Sequence, residues 1–195
     1  MSKAIQPGSA HIATAIASAD AFISQAGAAW SRFEEDPERA DETAGKHIGE
    51  LIASATNLSL AIELYLKALL LERGLAAKMT HELPELFRCL PRKIQLAIEA
   101  KYDVLRESEE LGGLAGLSLH ISKGPSGEQS FDRPPGTYSM NFMSVLKRNA
   151  TAFVTWRYLF AHGPTASGSP LSYEYVRLCF VAQALRLQLT SASAG

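Results

Sequence analysis

The sequence predicts an all-α protein: an antiparallel bundle of four to five helices carrying a long glycine-rich insert. Three observations predict it. Apolar residues recur at helical spacing over several stretches longer than ten residues. No stretch of any length alternates apolar and polar residues as a half-buried strand does. The helical stretches are mostly joined by short connections punctuated by Pro or Gly, which sets neighbouring helices antiparallel. The chain has 195 residues, 47% hydrophobic and 20% charged, which suits one globular domain over 1–195 with a core of its own.

The elements follow in order. A helix is expected over about 10–34, alanine-rich, with Ile12, Ile16, Ala19, Ile23 and Trp30 near one face; Pro37, preceded by Asp36, stops it. The main core, about 41–189, opens at Asp41, a candidate cap for a long helix over 42–72. Its stripe is Ile48, Leu51/Ile52, Ala55, Leu58, Ile62, Tyr65/Leu66 and Leu69, and Gly74 is placed for a left-handed stop. Thr80 can cap a short helix over 82–89, and Pro91 separates it from another over 92–110. The stretch 111–141 has no period and is rich in Gly and Pro, with a short strand or turn expected near 117–121. It reads equally as a lid, a partner-binding insert or a tolerated surface insertion. A single helix is expected over 142–161, with Phe142, Val145/Leu146, Phe153, Trp156 and Phe160 as its stripe; Gly163 and Pro164 end it. The last helix, over 172–189, is expected to bury Val176, Phe180, Ala184 and Leu187, with fraying after Thr190.

Net charge is −1 at pH 7, so no global positive field draws in nucleic acid, and any RNA contact must rest on local charge. Cys89 and Cys179 have neither metal-ligand spacing nor a disulfide framework; they read as small buried hydrophobes in a reducing, cytoplasmic protein. Residues 1–7 lack the apolar core of a signal peptide. The most apolar stretch, 58–71, is interrupted by Glu63 and Lys67 and reads as too short and too charged for a bilayer.

Three stretches carry a family resemblance. They are Leu60-Ala-Ile-Glu63-Leu-Tyr-Leu66-Lys67-Ala-Leu-Leu70 with Gly74 after it, then Thr80-His-Glu-Leu83 with Leu86-Phe87, and finally Trp156-Arg157-Tyr158-Leu-Phe-Ala-His162-Gly163. In this order the chain resembles the HEPN superfamily over about 41–189, the insert being unmatched. The last stretch is similar to that family's Arg, four to six residues, His motif. The resemblance implies a homodimer in which two copies of the motif meet across a two-fold interface. It also implies metal-independent RNA cleavage leaving a cyclic phosphate, no cofactor, and an antitoxin or a nucleotidyltransferase as protein partner.

The residue chemistry is compatible with that. The guanidinium of Arg157 is a planar fork suited to phosphate. His162, at a helix C-terminus, is the side chain suited to proton transfer near neutrality, and the helix dipole favours its charged form. RNA supplies its own 2′-hydroxyl nucleophile, so one base or acid and one group stabilising the phosphate suffice. Five positions apart on a helix, the two lie about 140° from each other, so unwinding at Gly163 must bring them together.

Each residue also has a plainer reading. Arg157 is a candidate partner of Glu63, and His162 a candidate helix-end cap. Glu63 and Lys67 have the spacing of an ordinary helix ion pair, or else line the groove near Arg157. His81 reads as a helix-start residue. Tyr158 can stack on a base, and equally stands where active family members carry a small polar residue, which favours a non-catalytic module binding nucleotide, RNA or a partner. Lys147 and Arg148 form a solvated face or extend a phosphate track. A helical interaction protein unrelated to nucleic acid is the third reading. Metal is not expected: His47-Ile-Gly-Glu50 reverses the Glu-x-x-His order of di-iron bundles, and Gly124-Pro-Ser-Gly127 lacks the Lys-Ser/Thr of a phosphate loop.

Overall fold

The computed structural model describes residues 9–34, 40–76, 78–108, 119–123, 129–132, 139–157 and 171–192. Helix α1 (Ser9–Glu34) lies along α2 (Ala40–Glu72), followed by α3 (Leu83–Arg88) and α4 (Arg92–Ser108). Strands β1 (Leu119–Lys123) and β2 (Gln129–Asp132) come next, then α5 (Phe142–Arg148), α6 (Ala152–Arg157), β3 (Leu171–Tyr173) and α7 (Tyr175–Ala192). The architecture is the expected helical bundle, with a small sheet added.

Helix α2 is the axis, packed against α1, α3, α6 and α7. Its predicted stripe is inside: Leu51, Ala55, Leu58, Ile62, Tyr65, Leu66 and Leu69 are all buried. Ala61, Ala68 and Leu70 are buried too, so the second half of the helix is covered nearly all round, as expected of an apolar helix at the centre of a fold. Each fully buried Leu contributes about 1.5–3 kcal/mol. Residues Gly49–Glu72 pass as a membrane span by length and composition, which corrects the expectation that this stretch is too short; 67% of that window is buried inside the bundle. Helix α1 packs along α2 through its buried positions Ala19, Ala26, Ala29 and Trp30. Gly74 ends α2 with φ 67°, the left-handed stop its position predicts. Helix α2 begins at Ala40, so Asp41 lies within the helix and not ahead of it.

Further expectations are corrected. Residues 142–161 do not begin as one helix: α5 ends at Arg148 and α6 starts at Ala152. Asn149 leaves helical geometry (φ −108°, ψ 22°) and its buried side chain donates to the Val145 carbonyl at 2.9 Å. A short polar side chain competing locally with the helix ladder accounts for the break. The break frees the Ala150 carbonyl to accept the Leu83 N–H at 3.2 Å, which anchors the start of α3.

The insert holds a hairpin. β1 pairs antiparallel with both β2 and β3, in the order β2-β1-β3, with Ile121 opposite Phe131 on one side and Leu171 on the other. Residues 171–173, expected at the start of the last helix, are therefore a strand. Strands this short carry too few residues for a period of two to show, and the β1–β3 pairing is non-local. On α7, Phe180 and Ala184 are buried as expected, Val176 is half-buried, but Leu187 is 41% exposed; Leu178, Val181, Leu185 and Leu189 form the inner face instead. Cys89 and Cys179 form no disulfide and pack against the core as small hydrophobes, partly rather than wholly buried.

Candidate functional site

The site begins with a carboxylate inside the bundle. Glu63, on the buried half of α2, is only 3% exposed. A charge there is tolerable only if it is paired. Lys67, one turn on, donates from Nζ to Glu63 Oε1 at 2.6 Å. His81 approaches from the chain leading into α3, its Nδ1 lying 3.1 and 3.0 Å from the two carboxylate oxygens. The i,i+4 ion pair expected from sequence is therefore one arm of a three-residue network. His81 is held locally by a turn in which the Glu82 N–H donates to Thr80 Oγ1 at 3.1 Å. Thr80 does not cap α3 as expected: the helix starts at Leu83 with Glu82 as its N-cap and no side-chain cap bond, and Thr80 only closes the turn ahead of it.

The network opens outward. Lys67 is 23% exposed and His81 54%. The His81 ring packs on Phe153 of α6, centroids 5.4 Å apart and tilted by 40°. From the same helix the Arg157 guanidinium carbon lies 5.7 Å from the Phe153 centroid, a cation–π distance. Phe153 thus has His81 on it from one element and Arg157 from its own helix. Trp156, 1% exposed, fixes α6 to the core, edge-on to Tyr173 at 5.8 Å. Helix geometry then puts its neighbour Arg157 on the outer side, where it is exposed.

Of the residues singled out in the sequence, Glu63, Lys67 and Arg157 come together around His81 and Phe153. The carboxylate of Glu63 is held by Lys67 and His81. Tyr158 and His162 lie outside the described residues, as do Phe160, Gly163 and the 124–127 stretch. Lys147 is exposed in the last turn of α5. Arg148 goes elsewhere. Its Nε and Nη2 grip Glu174 at 2.6 and 2.9 Å and its Nη1 donates to the Ser139 carbonyl at 2.8 Å. Arg177 completes a triad, Nη1 to Glu174 Oε2 at 2.7 Å. Burial would raise the Glu174 pKa, but the hydrogen bonds from Arg148 and Arg177 outweigh it and hold the carboxyl below the usual range. The geometry gives Arg148 a structural role.

Sequence reasoning passed over His81 as part of a site. The sequence could have shown it only by pairing the Thr80-His-Glu-Leu83 lead-in with Glu63, residues 18 positions apart. A further polar knot ties α1 to the bundle: Asp20 is gripped by Arg186 at 2.9 and 3.1 Å and accepts from the Tyr65 hydroxyl. Burial first, then Asp20, pushes the Tyr65 phenol far above its ordinary range.

Residues 34–112 match the family model of the HEPN domain. Over that stretch the chain is similar to a HEPN domain. Within the matched part fall α2, α3 and α4, and so Glu63, Lys67 and His81; Phe153 and Arg157 of the same cluster come from beyond it. No curated protein and no solved structure matches the chain significantly.

Proposed function

We propose that this protein is a metal-independent endoribonuclease of HEPN type acting as a homodimer, with Arg157 and His162 as its catalytic pair. The observation that carries the reading is the position of Arg157. Its guanidinium stands exposed at the end of α6, over Phe153, beside a half-exposed imidazole and the partly exposed Lys67. Phosphate recognition needs such a fork at the surface, with local positive charge offsetting a net charge of −1. Lys147, exposed in the last turn of α5, is a candidate for further charge, and Tyr158, next in the chain, for a ring on which a base can stack. Arg148, held by Glu174, is not part of the proposed surface.

In this reading Arg157 stabilises the charge on the pentavalent phosphate and His162 exchanges the proton. The 2′-hydroxyl oxygen of RNA attacks the adjacent phosphorus and the 5′-oxygen leaves, giving a 2′,3′-cyclic phosphate and a 5′-hydroxyl end. The test is incubation of the purified chain with RNA in excess EDTA, alongside Arg157→Ala and His162→Ala. Cleavage with cyclic ends is expected, reduced by about 10²–10³-fold in either variant. Cleavage that survives both substitutions, or never occurs, overturns it.

A second reading is favoured by Tyr158: a non-catalytic module that binds RNA, nucleotide or a protein partner, such as an antitoxin or a nucleotidyltransferase. Salt-dependent RNA affinity without turnover is its signature.

A further inference from the structure

We infer that His81 is a second RNA-contacting imidazole of this site, anchored through Nδ1 on Glu63 with Nε2 available to the 2′-hydroxyl beside the phosphodiester. The inference rests on the RNA reading above and extends it to a residue which that reading does not use.

The geometry fixes how the ring is held. The Glu63 carboxylate, already ion-paired with Lys67, offers only acceptors, so the Nδ1 lying 3.0 and 3.1 Å from its two oxygens carries the hydrogen. A neutral imidazole with its proton on Nδ1 has a lone pair on Nε2. Nδ1 points at a residue that is 3% exposed, while the side chain as a whole is 54% exposed. With Nδ1 taken up on the buried carboxylate and the side chain half-exposed, Nε2 is the nitrogen left for a ligand.

A merely structural histidine at a helix start has no need of this arrangement. The Thr80 hydroxyl already satisfies the Glu82 N–H, and Leu83 takes its bond from Ala150. Lys67 alone neutralises Glu63. What the carboxylate adds is a fixed tautomer and a fixed orientation, as in sites where a buried acid aims a histidine at its target. Phe153 packs against the ring, and Arg157 rests on that same Phe153. The charged group bonded to the imidazole is Glu63, itself ion-paired with Lys67, and Arg157 of α6 reaches the cluster through Phe153. A proton acceptor and a phosphate fork thus share one aromatic neighbour.

In cleavage, Nε2 of His81 takes the proton of the 2′-hydroxyl as its oxygen bonds to phosphorus. The 5′-oxygen departs with the electron pair of the broken P–O bond and takes a proton from protonated His162. His81 ends protonated and His162 neutral, and exchange with water restores both.

Two measurements test this. The first is single-turnover cleavage by His81→Gln, whose Nε2 still hydrogen-bonds but cannot accept a proton. It should fall about 10²-fold, while the melting temperature stays at the wild-type value. The second is the nitrogen spectrum of the wild-type histidines. His81 should show a protonated Nδ1 and a bare Nε2, and the Nε2 signal should move on saturation with the 2′-O-methyl oligoribonucleotide. Wild-type cleavage rates in His81→Gln, with His162→Ala inactive, overturn the inference and leave the nuclease reading standing. A wild-type chain that cleaves nothing removes the nuclease reading. The Nε2 signal then decides the contact: movement upholds it, and a signal that stays put while RNA binds overturns it.

Discussion

Two buried carboxylates in this molecule have nearly the same partner count and opposite character. Glu174 sits between Arg148 and Arg177, whose side chains are 20% and 11% exposed, so the whole triad is sealed. Glu63 sits between Lys67 and His81, and the imidazole is 54% exposed. Both carboxylates are at most 3% exposed. A sealed triad can only hold elements together; here it joins α5, the residue after β3 and the first turn of α7. A triad open on one edge can hold elements together and also present a group to solvent. Burial of the carboxylate alone does not separate structure from site; the exposure of its partners does.

The comparison is sharpened most by removing the charge from each. Glu174→Gln leaves two guanidinia without their anion and should cost about 3–5 kcal/mol, read as a drop in urea unfolding free energy. A loss below about 1 kcal/mol would break the contrast. The pH dependence follows from the same residue. Its carboxyl pKa is lowered in the folded state, so the triad stabilises fully above the unfolded value of about 4.3 and progressively less as pH falls through the lowered folded value. The stability gap between wild type and Glu174→Gln should therefore be constant from neutrality down to about pH 5 and close in more acid solution. Glu63→Gln should cost less, about 1–3 kcal/mol, because Lys67 and His81 can turn to water. His81→Gln and Arg157→Ala should leave unfolding free energy within about 0.5 kcal/mol of wild type, as surface changes do. A large loss in either would mean that the open edge is structural after all.

How far the sequence revealed this depends on the range of each interaction. Helix α2 was legible because its burial is written locally: Leu51, Leu58, Ile62, Leu66 and Leu69 repeat at helical spacing, and Gly74 marks its end. The Glu63–Lys67 arm was legible for the same reason, being four residues apart. The break at Asn149 was hidden because the apolar stripe runs on through Phe153 and Trp156, and only the side-chain bond to Val145 interrupts the ladder. The sheet was hidden because β3 finds its partner in the insert, far back along the chain. His81 was misjudged because its neighbours in space, Glu63 and Phe153, lie on two elements that no local period connects.

One consequence concerns how the chain is made. Helix α2 is covered by α1 on one side and by α6 and α7 on others, and α7 begins only at Tyr175, about 100 residues after α2 ends. At ribosomal rates of about 5–20 residues per second, α2 emerges at least about 5 s before its last cover does. During that interval Gly49–Glu72, a stretch long and apolar enough to cross a bilayer, is dressed mainly by the alanine face of α1. Until α7 is made, the face of α2 on which it packs lacks that cover, so the synthesis of α7 is the step that closes the bundle.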